Sequence, residues 1–229
     1  MNNPDFAVSC IIPVYNEAAR LGAVLDAVAL HPQLAEVIVV DDASSDASAE
    51  LAAATPGVRV IRQPVNGGKS RALAAGIDAA QSAHLLLLDG DLVGLTPAHV
   101  SALIAPVASG RADISISLRG NAPGLWRLLG IDYISGERVL ARRLLDESTQ
   151  ALHGLPRFGF EVHLNALCIQ AGARIGIVPW PEVNSPSKNR KYGLGAGLGA
   201  DLAMMADIFR TVPPHRVLAQ ILAMRRQRV

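Results

Sequence analysis

Asp89-Gly90-Asp91 closes an apolar run, His84 to Leu88, with two carboxylates separated by one glycine. If the backbone stays extended there, alternation points both acids the same way, and the glycine lets a phosphate or sugar come close. Two hard oxygen donors on a ligand-facing edge suit Mg²⁺ or Mn²⁺, with water and substrate phosphates in the remaining positions. A solvated Asp-Gly turn is the bland alternative. Asp41-Asp42 closes a second apolar run. That pair either caps the next helix or bonds a base or ribose. Ser44, Ser45 and Asp46 already supply caps, which frees it for a ligand. Asn66-Gly67-Gly68-Lys69-Ser70-Arg71 sets glycines at a helix start beside Lys69 and Arg71, which suits an anion. It is not a Walker A loop, because Gln63 stands where the first glycine belongs. Gly195-Ala196-Gly197-Leu198-Gly199-Ala200 has the G-x-G-x-x-A spacing of a dinucleotide fingerprint, but no strand precedes it and it is set aside.

The elements that must position these groups alternate between two periods. Ala7 to Val14, Val37 to Val40, Val58 to Ile61, His84 to Leu88 and Ile114 to Leu118 read as buried strands. Between them, Leu21, Val24, Leu25 and Val28 recur at helical spacing with Asn16 as N-cap. Lys69 to Ala80 is Ala-rich with Leu73 and Ile77 inward. Thr96-Pro97 opens a helix to about Val107. Strands alternating with helices predict right-handed crossovers and a mostly parallel sheet, whose ligands bind beyond the strand carboxyl ends. Four polar clusters fall on that rim: Tyr15-Asn16-Glu17, Asp41-Asp42, Asn66 to Lys69, and Asp89-Gly90-Asp91. The expected fold class is therefore α/β, a Rossmann-like, mostly parallel sheet flanked by helices in a single domain.

The second half is less regular. Arg119 to Gly130 reads as a loop, and Gly136 to Leu145 as a short helix with Arg138, Arg142 and Arg143 outward. Phe160 to Gln170 reads as a helix, and Arg174 to Val178 as a strand closed by Pro179 and Pro181. Ser185 to Gly199 reads as a loop of small and basic residues, followed by helices over Asp201 to Phe209 and Arg216 to Met224.

Composition narrows the classes. The chain has 229 residues, 50% hydrophobic and 18% charged, which excludes a disordered or fibrous protein and allows a sizeable core. Aromatics at 4% and a net charge of +1 argue against a nucleic-acid partner. Cys10 and Cys168 sit far apart in apolar runs, as buried free thiols of a reducing compartment do. Met1 to Asp5 lacks the features of a signal peptide, and no apolar run reaches the ~18 residues that cross a bilayer. A cytoplasmic protein is expected, with contact to the inner face of the membrane left open.

Ser9 to Glu17, Val37 to Asp46, Asn66 to Leu73 and Leu87 to Asp91, in this order and spacing, resemble the family 2 glycosyltransferases of the GT-A fold. Ile134 to Arg138, Phe158 to Glu161 and Ser185 to Lys188 resemble, more loosely, the acceptor side of the bacterial and polyprenyl-phosphate members. The resemblance implies a nucleoside-diphosphate sugar donor, UDP- or GDP-linked, held with Mg²⁺ or Mn²⁺ by Asp89 and Asp91. It implies that Pro13, Tyr15, Glu17 and Gly90 line the nucleotide pocket and that Asp41 or Asp42 meets the base or ribose. Lys69 and Arg71 would lie near the nucleotide. Residues 6–118 would bind the donor and 119–200 would form the acceptor side, with terminal helices in 201–229.

The family is mostly inverting, so one in-line displacement is implied. An alcohol acceptor needs a general base, for which Glu161 matches loosely; a phosphate acceptor does not. The acceptor, a sugar, a lipid phosphate or a small molecule, stays open. Lys188 and Arg190, in a basic loop, could hold donor or acceptor phosphate or touch anionic lipid. Asp91 is followed by apolar Leu92-Val93, and the acceptor side is short, both of which weaken a lipid acceptor. The helix from Arg216 is a packing helix, a homodimer contact or a membrane-surface anchor. A nucleotidyltransferase is the enzymatic alternative, disfavoured because no Gly-rich basic loop follows the first strand. A non-catalytic nucleotide-sugar-binding subunit is the other.

Overall fold

The computed structural model describes residues 6–122, 124–145, 149–156, 159–186 and 212–229. Four strands, β1 (Val8–Val14), β2 (Glu36–Asp41), β3 (Val58–Arg62) and β4 (His84–Leu87), pair in parallel and alternate with helices α1 (Ala18–Val28), α2 (Ser48–Ala54) and α3 (Lys69–Ala79). Helix α4 (Pro97–Ala108) leads into β5 (Ile114–Arg119), followed by α5 (Gly124–Leu129), β6 (Arg138–Ala141), α6 (Thr149–His153), α7 (Phe160–Gln170) and β7 (Ile175–Trp180). The last helix, α8, spans Pro214–Arg226. Among the described residues the strands form one seven-stranded sheet, ordered β3-β2-β1-β4-β6-β5-β7.

Alternation along each strand divides the core between the two faces of this sheet. Ile11, Ile38, Val40, Leu85 and Leu87 pack with Leu73 and Ile77 of α3, Phe160 and Leu164 of α7, and Ile221 and Met224 of α8. Cys10, Ile12, Val37, Val39 and Leu86 face the other way, onto Leu21, Val24 and Leu25 of α1 and Val100, Leu103 and Ile104 of α4. Strands buried on both faces read as continuous apolar runs, which is why β1, β2 and β4 are visible in the sequence.

Three local expectations need correction. Residues 136–145 do not form one helix: Arg138–Ala141 is a strand, antiparallel to both β4 and β5, in the middle of the sheet, and only Arg142–Leu144 makes a single 3-10 turn. Arg138 points inward and is 1% exposed, whereas Arg143 is exposed. The stretch expected to be a loop after Arg119 contains α5. Strand β7 runs through Pro179 to Trp180 rather than stopping at Val178. It lies at the sheet edge, where a residue without an N–H is tolerated. Thr96 does cap α4, its side chain closing a capping box with His99 and Pro97 at the first helical position. The helix expected over Asp201 to Phe209 and the Gly195 to Ala200 motif lie outside the described residues. Cys10 and Cys168 are free and buried, and burial pushes both thiols up, Cys168 to about 11.

Candidate active site

Parallel pairing brings the carboxyl ends of β1 to β4 to one rim. Strand β6 runs the other way, so the segment leading into it, Ser135-Gly136-Glu137, reaches the same rim beside β4. The amino end of α7 carries Glu161 into it, buried to 7% exposure.

Lys69, the first residue of α3, stands between two carboxylates. Its Nζ lies 2.5 Å from Asp89 Oδ1 and 2.7 Å from Glu161 Oε1. Burial pulls the ammonium pKa down, but the two carboxylates outweigh it and raise it, so Lys69 stays charged. Gly136 forms the floor of this cluster. A Cβ there would fall 2.5 Å from Asp89 Oδ1 and 2.6 Å from Lys69 Nζ, so the close approach requires glycine.

Asp89 and Asp91 are both partly exposed at the end of β4. The chain has left the strand by Leu88 and turns at Gly90 and Asp91, so the extended alternation expected of the pair does not hold. Gly90 is buried. A side chain there would meet Val14 Cγ2 at 3.0 Å and the Pro13 carbonyl at 3.2 Å, so its missing Cβ makes room for β1. Among the described residues no three His, Cys, Asp or Glu side chains converge as a metal site. Two carboxylates at a partly exposed turn fit Mg²⁺ or Mn²⁺ only in the shared manner, with phosphate and water completing the shell.

The loops at the ends of β1 and β2 are stapled together. The Asn16, Glu17 and Ala18 amides donate to Ser44 Oγ (3.0 Å), Ser48 Oγ (2.8 Å) and Asp46 Oδ2 (3.0 Å), and the Ser45 amide donates to Asn16 Oδ1 at 2.8 Å. Asn16 is thus no helix cap. It sits at φ 56° with its side chain crossed to the neighbouring loop, and Glu17 occupies the cap position of α1. Asp46 feels burial that raises its pKa, yet hydrogen bonds from the Ser48 hydroxyl and the Ala18 and Ser48 amides hold it below the usual carboxylate range.

Asp41 and Asp42 are each 3% exposed. The Asp42 carboxylate accepts the amides of Gly67 (2.8 Å) and Gly68 (2.7 Å), so the N–H groups expected to cradle an anion are given to a carboxylate of the protein. Asp41 Oδ2 accepts the Ser44 amide at 3.3 Å. Tyr15 is 43% exposed on the rim. Glu17 pairs with Arg20 at 3.5 Å. Arg71 is exposed and its side chain lies over Gly67. Lys188 and Arg190 lie outside the described residues.

Sequence reasoning missed a buried charged cluster beneath Asp89. Arg119, the last residue of β5, meets Asp132 at 3.1 Å and Glu137 at 3.5 Å and donates to Ser185 Oγ at 2.6 Å. Glu137 Oε2 accepts Ser117 Oγ (2.7 Å) and Ser135 Oγ (2.8 Å). Burial raises the Glu137 pKa, Arg119 opposes and Asp89 reinforces it, with the net shift upward. Behind this cluster, Arg138 donates to Ser135 O (2.8 Å), Asn165 Oδ1 (2.6 Å) and Tyr133 O (3.2 Å), and Asn165 also donates to Tyr133 O at 2.9 Å. Asn165 lies one helical turn beyond Glu161. The Arg138–Asn165 bond therefore ties the floor segment to the helix that carries Glu161. Arg138 carries no local sign of its burial, because the basic residues at 138, 142 and 143 match an outward helix face as well as a strand.

The profile of the family described as Glycosyl transferase family 2 matches residues 9–155. An undecaprenyl-phosphate 4-deoxy-4-formamido-L-arabinose transferase from Aeromonas hydrophila is 34% identical over 165 residues, 68% of this chain and 47% of that protein. A dodecaprenyl-phosphate galacturonate synthase from Rhizobium johnstonii is 28% identical over 131 residues, 52% of this chain and 38% of that protein. The chain thus spans less than half the length of these curated relatives. Glucosyl-3-phosphoglycerate synthase from Mycobacterium tuberculosis in complex with UDP superposes with a TM-score of 0.71, at 25% identity, over 94% of this chain and 80% of that one. The same enzyme with Mn²⁺, UDP and glucosyl-3-phosphoglycerate gives 0.71 at 22% identity, covering 90% of this chain and 79% of that one.

Proposed function

Because the chain belongs to glycosyl transferase family 2, we propose that it transfers a sugar from a nucleoside-diphosphate donor to an anionic acceptor at the rim where Lys69 joins Asp89 and Glu161. That juxtaposition carries the reading. Three elements distant in sequence converge on one partly exposed cluster at the carboxyl ends of parallel strands, where such sheets bind ligands.

In this reading Asp89 and Asp91 hold Mg²⁺ or Mn²⁺ together with the donor diphosphate. The ion would stabilise the charge left on the diphosphate as the anomeric C–O bond breaks. Pro13, the exposed Tyr15, Glu17 and the Asp41-Asp42 edge lie on the donor side, in residues 6–118. Residues 119–200 supply the acceptor side. The stapled β1 and β2 loops form a rigid wall, so little ordering is left for binding to bring about. The structure of the mycobacterial enzyme with UDP supports a UDP-linked donor, with GDP as the alternative to be tested.

The polyprenyl-phosphate relatives support a lipid phosphate as acceptor. Such an acceptor arrives already deprotonated and needs no general base, which leaves Glu161 the task of holding Lys69. A hydroxyl acceptor would instead hand its proton to Glu161. Direct displacement by either acceptor inverts the anomeric centre. No helix among the described residues is long and apolar enough to cross a membrane. Lys188 and Arg190 are proposed as phosphate contacts.

Calorimetric titration of UDP and GDP, each with and without Mn²⁺, tests the donor site. Metal-dependent binding of one nucleotide is expected, lost in Asp91→Asn. Unchanged donor hydrolysis with Mn²⁺ in Asp91→Asn would remove the metal assignment.

A further inference from the structure

Lys69 stands between two carboxylates of the rim. Its ammonium contacts Asp89 and Glu161 at 2.5 and 2.7 Å, with the lysine side chain 20% exposed and Gly136 closing the cluster from below. Its backbone is equally constrained. The Asp42 carboxylate fixes the Gly67 and Gly68 amides that open α3, and Gly68 sits at φ 86° immediately before Lys69. The side chain therefore leaves a clamped helix start and ends between two carboxylates.

We propose that Lys69 is a resident counter-ion for Asp89, so that a divalent cation binds the free protein weakly and binds tightly only together with a nucleoside diphosphate. This inference rests on the reading of Asp89 as a metal ligand. An ammonium and a divalent cation sharing one carboxylate repel each other strongly in a poorly solvated cluster. A diphosphate removes that conflict in two ways. Its oxygens add ligands for the ion, which the two aspartates alone do not complete. Its negative charge also offers Lys69 a second partner beside Glu161, in place of the Asp89 carboxylate that the ion takes. Metal and donor then bind with positive coupling, and by reciprocity each tightens the other equally. The free enzyme is thereby kept from holding a metal ion without its donor, and Glu161 stays paired with Lys69 until the donor is in place.

The test is Mn²⁺ binding, read from the free-ion electron paramagnetic resonance signal, on the full chain alone and with UDP or GDP. Wild type is expected to bind Mn²⁺ weakly alone and at least about tenfold more tightly with the nucleotide, a fraction of what two unit charges about 4 Å apart exert near a protein surface. Lys69→Met should bind Mn²⁺ alone about tenfold more tightly than wild type, and nucleotide should add less. Lys69→Arg, which keeps the charge, should behave like wild type. Lys69→Met binding Mn²⁺ alone no better than wild type, while nucleotide still recruits the ion, would overturn the counter-ion role and leave the metal site standing. Wild type binding Mn²⁺ equally well with and without nucleotide would overturn it without reference to any variant. Mn²⁺ binding unaffected by Asp89→Asn would instead remove the metal reading, and this inference with it.

Discussion

The Asp42 carboxylate reaches across from the end of β2 to the two residues just before α3 and accepts the amides of Gly67 and Gly68 at 2.8 and 2.7 Å. One buried side chain thus does what a bound anion would otherwise do, and it sets the direction from which Lys69 approaches Asp89. Asp42→Ala strands two amides, that of Gly68 buried and that of Gly67 half-buried. A stability loss of about 2–3 kcal/mol is expected from urea unfolding. Asp42→Asn keeps one acceptor oxygen and should lose less. Two variants of equal stability would show that these bonds do not hold the loop.

Gly136 lies close under Asp89 and Lys69. Gly136→Ala adds a methyl group where 2.5 Å separates it from Asp89 Oδ1, so the ends of the two charged side chains must move. The expected result is metal-dependent nucleotide binding weakened roughly tenfold or more in calorimetry, a cost of about 1.4 kcal/mol. The melting temperature should fall little, because flexible side-chain tips rather than backbone give way. A variant that binds nucleotide and Mn²⁺ like wild type would place the ligand elsewhere.

Arg138 and Asn165 act as one unit, joining the Tyr133 to Arg138 segment to α7. Arg138→Ala leaves three acceptors and a cavity inside the sheet. It should cost about 3–5 kcal/mol. Asn165→Ala should cost less, and the double variant should fall short of the sum by about 1–2 kcal/mol, the signature of a shared network. Strict additivity in denaturant unfolding would show the two residues to be independent.

His84 stacks on Phe6 with ring centroids 4.0 Å apart at the amino end of β4. Burial, helped by Arg143 and opposed by a hydrogen bond to the Ala7 backbone, lowers its pKa below the ordinary 6.5. Native His84 therefore takes up its proton at lower pH than the unfolded chain does. Its contribution to stability is complete above 6.5 and is lost as pH falls from that value through the depressed folded value. Urea midpoints measured from about pH 8 to pH 5 should decline in wild type and decline less in His84→Phe, which keeps the ring stack but cannot titrate. The same slope in both proteins would assign the decline to other groups.

The first half of this chain was legible because its signals are local. Val37 to Val40 and His84 to Leu88 announce strands buried on both faces, and parallel connection forces their polar ends onto one rim. Asp89, Asp91, Lys69 and the acidic pair after β2 were found this way. Glu161 came from a likeness of motif, and its helix from residue pattern. What such reasoning assigned incorrectly was the use of the glycine amides at the start of α3. The Gly67 and Gly68 amides looked open to a ligand because nothing in their neighbourhood along the chain predicts that Asp42 will take both.

Sequence alone determined the α/β alternation, the rim on which the polar clusters fall and the residue types available there, since these depend on periods of two and 3.6 residues and on what stands at each strand end. Tertiary structure alone decided which of those groups touch. A four-residue strand such as Arg138–Ala141 carries too short a pattern to be told from a helix turn, and it becomes a strand because β4 and β5 each offer it an open edge. Arg138 can be buried there because Tyr133, Ser135 and Asn165 supply acceptors. Lys69 meets Glu161 for the same reason: α3 and α7 pack on one face of the sheet, and only that packing brings an ammonium on one helix to a carboxylate on the other.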